Sequence, residues 1–162
     1  MAPARFVTDS SLAFLARRLR FLGYDVQVAP GARLEELMEL GRAEDRVVLT
    51  TSARHPRRFA DVTMRMLPRD DPRALVRAIA GDSDPQGPPF SRCPACNVAL
   101  LERHSFEARG EVPGRVLRSS RRLTYCPSCG KWYWEGSHVA RLRAWLEEAL
   151  GRPLPSPEER DG

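Results

Sequence analysis

All four cysteines of this chain fall in two short pairs, Cys93-Pro-Ala-Cys96 and Cys126-Pro-Ser-Cys129, with 29 residues between them. A CxxC spacing lets one tight turn offer two thiolates to a common ion, and two such turns complete a tetrahedral set. The second half of the chain is therefore expected to form a small β-rich zinc ribbon, ligated by Cys93, Cys96, Cys126 and Cys129, with a long hairpin inserted between the pairs. Its Zn2+ is expected to be structural, because four thiolates leave no open position for water or substrate. The competing reading is two disulfides or two redox-active dithiols. Nothing in the sequence suggests export, and neither pair sits in the strand-to-helix context of a redox motif.

The excess of positive charge lies in the same half. Lys+Arg number 26 and Asp+Glu 21, giving +5 and a pI near 9.5, and Lys131 is the only lysine. Between Arg103 and Lys131 stand seven basic residues (Arg103, Arg109, Arg115, Arg118, Arg121, Arg122 and Lys131) against Glu107 and Glu111, so this stretch alone carries +5. Residues 1–90, with 14 basic and 12 acidic, are nearly balanced. The guanidinium fork matches phosphate oxygens, which makes a polyanion a reasonable partner. With 42% hydrophobic and 29% charged residues the chain reads as soluble and globular. No apolar run approaches the roughly 20 residues of a membrane span, and Met1-Ala-Pro-Ala-Arg5 lacks the apolar stretch of a signal peptide. No membrane partner and a cytoplasmic location are expected.

Composition also marks the boundaries. Gly81 to Pro89, with three prolines and two glycines, reads as part of a linker, and the proline-rich tail after Leu150 as disordered. The expected organisation is an α/β domain over 1–80, a linker over 81–92, a zinc ribbon with a C-terminal helix over 93–150, and a disordered tail over 151–162. In the first domain short apolar runs alternate with helical periodicity, the pattern of a parallel sheet between helices. Strands are expected at Arg5–Thr8, Tyr24–Ala29, Arg46–Thr51 and Val62–Leu67, and helices at Asp9–Leu22, Leu34–Gly41 and Asp71–Ala80. Leu12, Leu15, Ala16, Leu19 and Leu22 form the buried stripe of the first helix, with Arg17, Arg18 and Arg20 outside it. The fold class is thus three-layer α/β.

In such sheets the reactive crevice lies beyond the carboxyl ends of the strands. Asp9 follows the first strand, Glu35 and Glu36 open the helix after the second, Thr50-Thr51-Ser52 follow the third, and Asp70 and Asp71 follow the fourth. Carboxylates converging on one edge bind Mg2+ or Mn2+ and position water for phosphodiester cleavage. Each acid also has an ordinary role: Asp9 and Asp70 or Asp71 as helix caps, Glu35 and Glu36 as first-turn acids favoured by the helix dipole.

One set of motifs is distinctive. Asp9-x-x-Leu12-x-x-Leu15-Ala16-Arg17-x-Leu19-Arg20-x-Leu22-Gly23-Tyr24-Asp25, then Arg46-Val-Val-Leu-Thr50, and finally Cys126-Pro-x-Cys129-Gly130-Lys131-x-Tyr133-Trp134-x-Gly136-Ser137-His138, resemble the Mut-seven C-terminal RNase family over roughly residues 5–146. The resemblance implies a PIN-like nuclease fold followed by a zinc ribbon, a metal-dependent ribonuclease-type activity on RNA, and Asp9 as a ligand of Mg2+ or Mn2+. The chain departs from the family at three places. The second helix begins Leu34-Glu35-Glu36 where the family carries an earlier acid, Ser52 stands where the family usually has an aspartate, and Ala74 replaces a common glutamine. A serine hydroxyl is a weak neutral ligand, so Ser52 bears directly on catalysis.

The expected catalytic set is therefore Asp9, Glu35, Glu36, Asp70 and Asp71, and the expected RNA-binding set Arg17, Arg20, Arg118, Arg121, Arg122 and Lys131. Trp132, Tyr133 and Trp134 could stack unpaired bases, though strand alternation turns at least one of them into the ribbon core. Ser137 reads as the N-cap of a last helix with Val139, Leu142, Trp145, Leu146 and Ala149 on one face. His55, His104 and His138 have no metal-ligand spacing. Two functions stand: a metal-dependent endoribonuclease, and a noncatalytic RNA-binding protein, attached to ribosomal or transfer RNA, that kept the PIN-like fold. A protein partner docking on the ribbon is a third.

Overall fold

The computed structural model describes residues 3–69 and 71–155. Four short strands, β1 (Arg5–Thr8), β2 (Asp25–Val28), β3 (Val47–Thr50) and β4 (Met64–Met66), form a parallel sheet in the order β2-β1-β3-β4. Strand side chains alternate between faces, so Phe6, Val26 and Leu49 point to one layer and Val7 and Val48 to the other. The first layer is built by α1 (Ala13–Phe21) and α3 (Pro72–Asp82), whose Leu15, Leu19, Val76 and Ile79 are buried there. On the opposite face α2 (Leu34–Glu44) contributes Leu37 and Met38. Both faces are covered, as parallel sheets require.

Local differences from the sequence expectations have physical causes. The first helix opens as a 3-10 turn over Ser10–Leu12, with Asp9 accepting from the Ser11 backbone N–H at 2.8 Å. α2 runs through Gly41 to Glu44 because Gly41 is a packing residue: a Cβ there would sit 2.9 Å from a Val48 methyl. The cap of the last helix, α5 (Ser137–Leu150), is Gly136, which makes no side-chain hydrogen bond, and Ser137 is already helical.

The ribbon is a three-stranded antiparallel sheet of β5 (Leu101–His104), β6 (Arg122–Tyr125) and β7 (Trp132–Tyr133). Its inserted segment, including α4 (Gly114–Ser119), packs Ala108, Val112 and Val116 on Leu123. α5 does not stay with this sheet: Leu142, Leu146 and Ala149 join the α1–α3 layer. The chain after it, expected to be disordered from residue 151, is fixed as far as Pro155. Leu154 is buried in the same core, and Arg143 donates to the carbonyls of Leu154 and Pro155. Residues 156–162 lie outside the described residues.

The linker is likewise tied down. Tyr24 Oη donates to the Ser83 carbonyl at 2.7 Å, and the N–H groups of Gln86 and Phe90 donate to the carbonyls of Gly23 and Phe21. Gly23 is required there: its φ is +98°, and a Cβ would lie 2.1 Å from the Gly87 carbonyl oxygen. Among the described residues no helix is long and apolar enough to cross a membrane.

Candidate functional site

The two CxxC turns are built alike. In the first, Cys93 N–H donates to the Val98 carbonyl and Asn97 N–H to the Cys93 carbonyl; in the second, Cys126 pairs in the same way with Lys131 and Gly130. The residue four positions after each leading cysteine, Asn97 or Gly130, has positive φ (65° and 76°), which closes the turn. All four thiols are free, and their Sγ atoms lie within 4.8 Å of one another. Cys93 and Cys129 Sγ are 3.9 Å apart, close to the roughly 3.8 Å between vertices of a tetrahedron with Zn–S of about 2.3 Å. The cluster fits a zinc ion by donor type, number and spacing. Among the described residues it is the only group of three or more His, Cys, Asp or Glu close enough to hold a metal.

The surroundings favour thiolate at one ligand. Burial opposes ionisation of Cys93, but the Tyr133 hydroxyl at 3.3 Å and the N–H groups of Cys96 and Ala95 outweigh it and bring its pKa to about 7. Burial and the proximity of Cys93 keep Tyr133 itself protonated as a donor. In Cys126 burial dominates and pushes the thiol up.

Behind the first knuckle lies a buried polar seam that joins it to the α/β domain. Arg20, only 7% exposed, donates through Nε to the Val26 carbonyl at 2.9 Å and through Nη1 to the Pro94 carbonyl at 2.7 Å. Burial lowers its pKa, while Cys93 and Cys96 act in the opposite direction. Asn97 completes the seam. Its side-chain oxygen accepts from Val26 N–H on the edge strand β2, and its amide donates to Asp25 Oδ1 at 2.7 Å. Asp25 also pairs with the buried Arg46 at 2.7 Å, so burial, which would raise its pKa, is overcome and the carboxylate is held below its ordinary range. Arg20, expected to grip phosphate, is thus corrected to an inter-module clamp: its side chain is buried, and both Nε and Nη1 are committed to carbonyls of the protein itself.

The sheet edge places the expected acids as follows. Asp9 follows β1 and Thr50 ends the adjacent β3, beside the point where the chain switches direction across the sheet. Asp9 Oδ1 accepts from both the backbone and hydroxyl of Ser11. Glu35 is bound by Arg54 at 2.8 Å, and its own backbone N–H, followed by Arg54, lowers its pKa. Glu36 pairs with Arg33 at 3.0 Å, and Asp71 caps α3 through Arg73 N–H. Ser52 Oγ accepts from Arg54 N–H at 3.2 Å. Asp70 lies outside the described residues. Asp9, Glu35, Glu36 and Asp71 thus share one edge of the fold without forming a common ligand set for Mg2+ or Mn2+, each being engaged by a neighbouring group. A groove at this edge is bordered by Ser11, Phe14, Thr51, Arg69 and Asp71.

The basic residues of the ribbon remain available to solvent: Arg103, Arg109, Arg115, Arg118, Arg121, Arg122 and Lys131 are all exposed. Both acids of that stretch have structural partners, Glu107 accepting from His104 N–H and Glu111 from the Trp132 indole at 2.7 Å. Arg122 pairs with Glu102 at 2.9 Å. Of the three aromatic residues, Tyr133 faces the cysteines, while Trp132 and Trp134 pack on the apolar cluster under the insertion. His104 caps a 3-10 turn, and His55 Nε2 lies 2.8 Å from the Phe59 carbonyl oxygen. Arg17 is exposed, with no hydrogen bond or ion pair among the described residues.

Sequence reasoning missed the Arg20–Asn97–Asp25 seam. Its one local sign is Asn97 itself, in the position that the second knuckle gives to Gly130.

A family model described as the Mut7-C RNAse domain matches residues 4–146. No curated protein and no solved structure matches the chain significantly.

Proposed function

The chain belongs to the Mut7-C RNAse domain family, and on that premise we propose that it binds RNA with its basic ribbon and its sheet edge but cleaves it slowly or not at all. The observation that carries the RNA-binding reading is the exposure of all seven basic side chains between Arg103 and Lys131, while both acids in that stretch are occupied by the protein itself. Such a surface attracts a phosphate backbone whatever its sequence, releasing counterions as it does so. Slow cleavage is supported by Ser52, a neutral group at a family carboxylate position, and by the engagement of Asp9 and Glu35 with Ser11 and Arg54.

A metal-dependent endoribonuclease is the second reading. It is favoured by Asp9 at the switch point and by Asp71 at the border of the sheet-edge groove, two acids from different strand ends.

Binding is tested by titrating a single-stranded RNA at several salt concentrations. Replacing Arg118, Arg121 and Arg122 together by Ala should weaken binding to all sequences alike. The slope of log Kd against log salt should flatten by about 0.7 for each phosphate that is no longer neutralised, so by up to about 2. A folded triple variant with unchanged affinity and slope would remove the ribbon from the RNA site. A partner bound with no salt dependence would indicate protein docking instead.

A further inference from the structure

Beside the groove at the sheet edge, α1, α3 and α5 carry an alternating ladder of rings and guanidinium groups. Arg18 Cζ lies 4.3 Å from the centre of the Phe14 ring and 4.8 Å from that of Trp145, and Arg73 Cζ lies 5.1 Å from that of Trp145. The Phe14 and Trp145 rings meet edge to face at 6.0 Å. Phe14 is 48% exposed, one of few large apolar side chains left open to water, and it borders the groove together with Thr51 and Asp71.

Among the described residues, few carboxylates compensate the charges of this ladder. Among the described residues Arg18 and the neighbouring, exposed Arg17 have no carboxylate partner, and Arg73 has only Glu148, at 3.6 Å. Stacking on two rings fixes the Arg18 side chain in advance, so little rotamer freedom remains to be lost when a phosphate arrives. An open ring flanked by preset cations is the arrangement that takes an unpaired base and its phosphate together, since every base has a π face and stacking needs no particular sequence.

We propose that the Phe14–Arg18–Trp145 ladder is a base-stacking platform for single-stranded RNA entering the sheet-edge groove, with Phe14 taking a base and Arg17 and Arg18 its flanking phosphates. The proposal rests on the RNA-binding reading above and assigns that reading's strand a path. Duplex RNA, whose bases are already stacked, should not use it.

The test compares an oligoadenosine with an abasic oligonucleotide of the same length and charge. Phe14→Ala should weaken oligoadenosine binding about tenfold and leave abasic binding nearly unchanged, whereas Phe14→Trp should keep the preference for bases. The Arg118, Arg121, Arg122 triple variant should weaken both ligands alike. A folded Phe14→Ala protein that binds oligoadenosine like wild type would overturn the platform and leave ribbon binding intact. A wild-type protein that binds neither oligonucleotide would overturn the RNA-binding reading and the platform with it. Phe14 is half exposed and outside the buried core, so its replacement by Ala should not unfold the chain.

Discussion

Removing zinc with a strong chelator, or replacing Cys126 by Ser, should collapse the order of the ribbon. Four buried residues, Ala108, Val112, Val116 and Leu123, make up the core of its inserted segment. A core of that size supplies at most a few kcal/mol, against roughly 1.5 kcal/mol of conformational entropy for each residue ordered. Zinc bound by four thiolates can contribute on the order of 10 kcal/mol and so decides whether the module folds. Elemental analysis should find one zinc per chain. On chelation, the near-ultraviolet signal of Trp132 and Trp134, which pack on this core, should disappear. Acid should release the metal for the same reason, because protons compete for the thiolates. Metal-free protein with an unchanged tryptophan signal, or disulfides in freshly prepared protein, would contradict this.

Arg20→Met should loosen the junction between the first knuckle and the parallel sheet. Methionine keeps much of the aliphatic stem but removes the donors to Val26, Pro94 and Ala95. Buried carbonyls left unpaired cost about 1–3 kcal/mol each, so a loss of about 3 kcal/mol is expected. Hydrogen exchange should rise at β2 and at the first knuckle together, since the arginine holds one against the other. Arg20→Lys should recover only part of the loss, because one ammonium cannot reproduce the spread of a guanidinium fork. A Met variant within about 0.5 kcal/mol of wild type, with unchanged exchange at β2, would show that Asn97 and Asp25 hold the seam alone.

The cysteine spacing makes the ribbon legible, and the alternation of apolar runs with helical periodicity makes the parallel sheet legible, because both record local geometry. Arg20 escapes the same periodicity. It follows Leu19 and lies one turn after Ala16, so it borders the buried stripe, and its long stem lets the charge cross that border to reach Pro94, 74 residues away. A period of 3.6 cannot distinguish an arginine that turns outward from one that clamps a distant turn. Gly41 looks like a helix stop in sequence because a glycine that ends a helix and one that lets a strand approach are the same residue at the same spacing. The sheet order brings Asp9, Glu35 and Asp71 to one edge, as the strand pattern implies. Whether such acids share an ion depends on loop pairings such as Arg54 with Glu35, which follow no period.

An end-labelled single-stranded RNA, followed at saturating protein with and without Mn2+, separates an RNA-binding protein with a weakened metal edge from a working nuclease. Wild type is expected to hold the RNA largely intact over many times the lifetime of the complex, and Ser52→Asp, which places a carboxylate there, to gain Mn2+-dependent cleavage. Rapid Mn2+-dependent cleavage by wild type, abolished by Asp9→Asn, would contradict it and establish a working nuclease site despite Ser52.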